Sequence, residues 1–310
     1  MSDESKRLLD ALTATGYKAG SLAVQVTPGP MAQAMASFVG VGLSQGMRSR
    51  RSMIERHLQR VNPALKGFAL RRAVQSSFDS YARYWVESFK VPSLSKQAVA
   101  RAFSTQGFDE NVGGALEQGK GAILALPHLG GWEWAGRWLA DQGHTVTVVV
   151  EPLDNQEVFD WFVDLRSKLG MHVVPLGPGA ASAIVRALKA NEIVCLLSDR
   201  DISRNGIEVE FFGERTTLPG GPATMALRTG AALLPTATYF TNQYNGHLAV
   251  VRPPIPTERR GTLREDVTRI TQHLARELEL LIGRSPEQWH LFQPNWPSDP
   301  GYFDTPARPS

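Results

Sequence analysis

A chain of 310 residues with 42% hydrophobic content carries enough apolar side chain for a sizeable buried core, which excludes a disordered protein. Its net charge of +3 is a mild basic bias, and no nucleic-acid partner is expected from it. The single cysteine, Cys195, excludes an internal disulfide framework and suits a reducing compartment.

The first residues, MSDESKRLLDALTATGYKAG, lack the apolar stretch of an export signal, and no apolar run approaches the ~20 residues that span a bilayer. A cytoplasmic protein is expected, with peripheral membrane contact left open. Up to about Gly119 the pattern is helical. Leu8, Leu9 and Leu12 recur at helical spacing, and a mostly apolar MAQAMASFVGVGL follows the TPGP break. Between Met47 and Arg60 five arginines stand against one Glu, with Arg71 and Arg72 soon after. Such a cluster is either a solvated face or a surface for anionic headgroups or phosphates. SSFDSYARYWVESFKVP then sets Phe78, Tyr81, Tyr84, Trp85 and Phe89 at helical spacing. The stripe reads as a core-facing seam, or as an apolar face laid on a membrane.

From residue 120 the rhythm changes. GAILALP, TVTVVVE, HVVPL, EIVCLLS and AALLPTATYF read as strands, with WEWAGRWLADQG, NQEVFDWFVDLRSKLG, AASAIVRALKA and GPATMALRTG as helices between them. Strands this apolar, alternating with helices, predict a largely parallel central sheet flanked by helices. A hairpin-like insert, NGIEVEFFGERTTLPGG, interrupts the alternation. HLAVVRP is expected as a further strand and Leu263 to Leu281 as a closing helix. The chain therefore reads as one α/β domain over 1–310, with a mainly helical N-terminal portion (1–119) and an α/β core (120–310).

Ligands of such sheets sit at the carboxyl ends of the strands. His128 falls at that end of GAILALP, and Glu133 follows across a glycine turn in the first turn of the next helix, where the dipole favours a carboxylate. The spacing can bring the Glu133 carboxylate against the imidazole, fixing its tautomer and raising its basicity. A cap at the turn and a dipole-complementing acid are the other reading. LLSDRD delivers Asp199, Arg200 and Asp201 to the same edge, so Asp199 is a second candidate partner for His128 and Arg200 a candidate for a phosphate. Glu151 and Arg166 add charge on that side. The Gly and Pro residues before GPATMALRTG form a turn into a helix whose free N–H groups make an anion site conceivable. Arg228 near its end is a binding candidate or a complement to the dipole. Cys195, inside a buried strand, reads as packing. No nucleophile elbow, phosphate loop or dinucleotide fingerprint is present, and only one His among His128, Glu133, Asp199 and Asp201, the residues from which a metal site could be built, argues against zinc, so no metal is expected.

The motifs SYARYW, LALPHLGGWEWAGRWL, DRD with GIEVEFFGE, PGGPATMALRTGAALLP and WHLFQPNW, in that order from about residue 80 to 296, resemble the glycerolipid acyltransferase superfamily. Within it they look like the mycobacterial and corynebacterial phosphatidylinositol mannoside acyltransferases. The resemblance implies transfer of a fatty acyl group from acyl-CoA, the donor substrate, to a mannose hydroxyl of a phosphatidylinositol mannoside. It implies a peripheral protein at the cytoplasmic face of the plasma membrane and no further cofactor. His128 matches the family's catalytic histidine, Glu133 the acid of its motif, and Asp199 the acid that pairs with the histidine, where relatives usually have Glu. Arg166, Asn205 and Arg228 fall where the family contacts the acyl donor. In such a reaction His128 takes the hydroxyl proton as oxygen attacks the thioester carbon, a carboxylate stabilises the imidazolium, and backbone N–H groups hold the oxyanion. Other acceptors, a thioesterase or metal-assisted esterase, and a non-catalytic lipid binder are the competing classes.

Overall fold

The computed structural model describes residues 3–304. Four helices lead: α1 (Asp3–Val26), α2 (Gly29–Gly46), α3 (Arg48–Val61) and α4 (Gly67–Lys90), with α4 packed against the other three. The short α5 (Lys96–Arg101) starts at Ser95, whose hydroxyl accepts from Ala98 N–H. The next segment, inside the stretch that reads as helical, is instead strand β1 (Phe103–Gln106), followed by a helical turn and α6 (Gly114–Glu117).

The alternating part then runs β2 (Ala122–Leu126), α7 (Trp132–Asp141), β3 (Val146–Val150), α8 (Gln156–Lys168), β4 (Met171–Pro175), α9 (Ala180–Lys189) and β5 (Ile193–Leu197). The insert is a hairpin, β6 (Ile207–Phe211) and β7 (Glu214–Leu218), turned at Phe212 and Gly213, both with positive φ. It is followed by α10 (Gly221–Thr229), β8 (Ala232–Phe240), β9 (His247–Val251) and α11 (Leu263–Gly283), which a reciprocal Thr262–Glu265 capping box opens.

Seven strands form the central sheet in the order β1-β9-β8-β2-β5-β3-β4. All run parallel except β9, antiparallel to β8, and β1, which follows β9. Alternation along β2 sorts its side chains to two cores. Ile123 and Ala125 join α9 and α11 through Leu188, Ile270 and Leu278, while Leu124 and Leu126 face α7 through Trp134 and Leu139. Beyond α11 an irregular segment, 289–299, passes between α3 and the loop after β2, and its Trp296 is fully buried.

Candidate active site

The register of β2 against β5 sets the site. Leu126 pairs with Leu197, so the two strands end level, and His128 and Asp199 each stand two residues farther on. The Asp199 carboxylate meets both groups of His128: Nδ1 lies 2.7 Å from Oδ1, and the His128 backbone N–H donates to Oδ2 at 3.0 Å. Trp289 Nε1 donates to the same Oδ2 at 2.7 Å. Burial alone pushes the Asp199 carboxyl up, but the imidazole and these N–H donors more than offset it and hold the group below the ordinary carboxylate range. Asp199 is wholly buried, whereas the His128 side chain is 27% exposed. With Nδ1 engaged, Nε2 is the ring nitrogen left for a substrate.

The two glycines after His128 have separate reasons. Gly130 sits at φ 63° with the Thr238 carbonyl where a Cβ would be, at 1.9 Å. At Gly131 a Cβ would come within 2.7 Å of the His247 ring. The turn is further held by Gly130 N–H to the Gln288 carbonyl (3.0 Å) and by His290 N–H to the His128 carbonyl (2.7 Å).

Glu133 is buried in the first turn of α7 and turns away from this pair. Its Oε1 accepts from Arg166 Nε at 3.0 Å, from Arg166 Nη2, and from the Tyr84 hydroxyl at 3.3 Å. The Tyr84 phenol is pushed well up, first by burial and then by the Glu133 charge. Burial opposes the charge on Arg166, but Glu133 outweighs it and keeps the guanidinium firmly protonated. Asp199, and not Glu133, is thus the carboxylate on the imidazole. Arg200 and Glu151 stand half-buried at the carboxyl ends of β5 and β3. Asn205 is exposed in the loop before β6, within hydrogen-bond reach of the Ser203 hydroxyl. Arg228 is not brought to this edge: it lies exposed in the last turn of α10, beside Gly230, whose neighbour is Lys120 at the start of β2.

Residues 3–298 match the family described as bacterial lipid A biosynthesis acyltransferase. The chain belongs to that family. It is an acyltransferase. Relatives named phosphatidylinositol mannoside acyltransferase are similar over most of it. Those of two Mycobacterium tuberculosis strains are 40% identical over 228 residues, 72% of this chain and 70% of theirs. That of Mycolicibacterium smegmatis is 35% identical over 292 residues, 93% of this chain and 92% of its own.

The acyltransferase contains an apolar cavity of about 80 Å³, room for roughly half a dozen water-sized spheres, which Leu126 and Leu197, two residues before His128 and Asp199, help to line. It runs between α7 and the sheet, with Leu126, Val148 and Leu197 along one wall, Glu133 and Arg166 at one part of its lining, and Phe103, Phe108 and Trp138 at another. Phe103 and Trp138 stack with centroids 4.8 Å apart. Cys195 also lines it, and burial pushes its thiol up to about 12, too high for a nucleophile. The aromatic seam of α4 does not line this cavity. Phe78 and Tyr81 pack on Phe292, Tyr84 on Trp132, and Trp85 and Phe89 on α8 through Phe162 and Trp161, so the seam belongs to the core. Trp289, His290 and Asn295 carry no local spacing that ties them to His128; their signal in the sequence is the WHLFQPNW motif of the family resemblance, which says nothing of what they touch.

Proposed function

We propose that this acyltransferase moves a fatty acyl group from acyl-CoA to a mannose hydroxyl of a phosphatidylinositol mannoside, with His128 as general base. The observation that carries this reading is the His128–Asp199 contact, which engages Nδ1 and leaves Nε2 of a partly exposed imidazole for the acceptor hydroxyl. The names of the relatives support the mannoside as acceptor.

A sugar hydroxyl is a weak nucleophile at neutral pH. Nε2 takes its proton as the oxygen attacks the thioester carbon; the C–O bond forms, the C–S bond breaks, and the imidazolium passes the proton to the departing thiolate. Asp199 stabilises the imidazolium. The N-terminus of α7, with no side-chain cap at Gly131, offers unpaired N–H groups and the positive end of a dipole to the oxyanion. The acyl chain takes the cavity beneath α7, and the Glu133–Arg166 pair orients the donor at its lining, with Arg200 and Asn205 toward the phosphates of coenzyme A.

Both substrates are lipidic, and we place the enzyme peripherally on the cytoplasmic face of the plasma membrane. No helix among the described residues is long and apolar enough to cross a membrane. The first two helices nonetheless expose Leu22, Val26, Met31 and Phe38, an apolar face that suits partial immersion among headgroups. Part of the basic cluster has another use: Arg56 and Arg60 turn inward to Asp299.

The test is product analysis. Purified enzyme with long-chain acyl-CoA and phosphatidylinositol mannoside yields a mannoside heavier by one acyl group, and free fatty acid does not accumulate. Equal acyl-CoA cleavage with and without the mannoside would instead make the protein a thioesterase.

A further inference from the structure

Segment 289–299 approaches the His128–Asp199 pair from outside the sheet, and the transfer chemistry above assigns it nothing. Its contacts form two tiers. Against the pair, Trp289 Nε1–H donates to Asp199 Oδ2 (2.7 Å), Asn295 Nδ2–H to the Asp199 carbonyl (3.1 Å), and His290 N–H to the His128 carbonyl (2.7 Å). Behind it, Asp299 Oδ2 accepts from the N–H groups of Asn295 (2.9 Å) and Trp296 (3.1 Å). The same carboxylate is held by His57 (3.3 Å) and Arg60 (3.1 Å) of α3. The Arg60 guanidinium covers the Trp296 ring at 4.0 Å, and His57 Nδ1 donates to the Leu291 carbonyl at 2.9 Å. Trp289, Asn295, Trp296 and Asp299 are all buried.

A carboxylate turns about its Cβ–Cγ bond, and only one orientation lays Oδ1 against a fixed imidazole. Two donors converge on Oδ2, the backbone N–H of His128 and the indole N–H of Trp289. Together they pin the carboxylate plane and leave Oδ1 to the imidazole. With the indole N–H removed, one donor remains and the plane is free to tilt.

We propose that Trp289 is a positioning residue for the His128–Asp199 pair: its indole N–H fixes the Asp199 carboxylate plane, and the Asp299 node on α3 holds the segment that carries it. The inference rests on the reading of His128 as general base. It assigns to the inward half of the basic cluster on α3 the task of holding the site together from behind.

Trp289→Phe removes the N–H and keeps an aromatic ring. It is expected to lower kcat roughly 10- to 100-fold, the effect of one hydrogen bond to a charged group, with the KM for acyl-CoA within about twofold of wild type. A packing role is separated by the double variant. In an Asp199→Ala background no carboxylate remains to orient, so Trp289→Phe costs nothing further in single-turnover rate. A wild-type kcat for Trp289→Phe, or a full multiplicative loss in the double variant, overturns the proposal. Should Trp289→Phe fail to fold, Asp299→Asn serves the same cycle: it is expected to lower kcat several-fold in the native background and to change nothing beside Asp199→Ala. His128→Ala, measured alongside, tells the two readings apart. If it turns over normally, the base assignment falls and this inference with it; if it is inactive while Trp289→Phe matches wild type, only the positioning role falls.

Discussion

Two histidine–carboxylate pairs lie on adjacent sides of the same glycine turn. His128 meets Asp199 at 2.7 Å, and His247 meets Glu87 at 2.9 Å, its ring against Gly131. They differ in what happens to the second ring nitrogen. His247 Nδ1 is engaged by the Asn245 carbonyl at 2.7 Å, Trp134 stacks on the ring at 4.4 Å, and its side chain has no exposure. Glu87 is in turn clamped by Arg83, which also reaches the carbonyls of the turn between β8 and β9. His247 thus has both nitrogens covered, Nδ1 within its own turn and Nε2 against the Glu87 carboxylate of α4, while the His128 ring is partly exposed with Nδ1 on Asp199. Identical residue chemistry serves structure in one place and suits a reaction in the other, and access to Nε2 is the difference.

Exchanging each carboxylate for its amide breaks the comparison in opposite ways. Asp199→Asn is expected to lower kcat by roughly 10³- to 10⁴-fold, the scale seen when a histidine loses its orienting acid, with the fold retained by circular dichroism. Glu87→Gln should cost about 3 kcal/mol of stability in urea titration, because it takes a buried carboxylate away from the Arg83 guanidinium, with kcat of the folded fraction unchanged. A large loss of kcat from Glu87→Gln would remove the distinction. Gly130→Ala, on the turn between the pairs, drives a Cβ into the Thr238 carbonyl at a positive φ and should lower stability by about 3 kcal/mol or more, read as a fall in Tm.

Acid sharpens the comparison without mutation. Burial raises the Asp199, Glu87 and Asp299 carboxyls, but their imidazole and N–H partners outweigh it, and all three stand below the usual carboxylate range. In the unfolded chain they return to about 3.9 for Asp and 4.3 for Glu. As pH falls the unfolded chain binds protons first, so the stability they supply is complete above about pH 5 and is lost progressively below about pH 4. Urea midpoints between pH 7 and 3 should be flat and then fall; Glu87→Gln should flatten the acid limb. The smallest effect belongs to Cys195→Ala, which removes a thiol too basic to act as a nucleophile: kcat should stay within about twofold of wild type.

The strands that carry the site were legible because each is a short apolar run closed by Gly, Pro or a charge, and β2, β5 and β8 fall where those runs stand. β1 was not legible. Phe103–Gln106 holds one apolar residue followed by three polar ones, beside a helix, and only its pairing with β9 makes it a strand. The reversed direction of β9 was equally hidden, since reversal shows in the loop and not in the strand. At the site, His128 and its glycines could be read locally, but the choice between Glu133 and Asp199 could not. Glu133 is near in sequence, yet its place on α7 aims it at Arg166, 33 residues on; Asp199 is 71 residues away and reaches His128 only because β2 and β5 end in register. The support from segment 289–299 is longer in range still.

The central claim, that Nε2 of His128 is the base for transfer to a mannose hydroxyl, is tested most directly by the transfer rate of His128→Gln, which keeps a polar side chain of similar reach. With long-chain acyl-CoA and phosphatidylinositol mannoside, kcat is expected to fall by about 10³-fold or more, with wild-type folding and acyl-CoA binding. Turnover within about tenfold of wild type would contradict it.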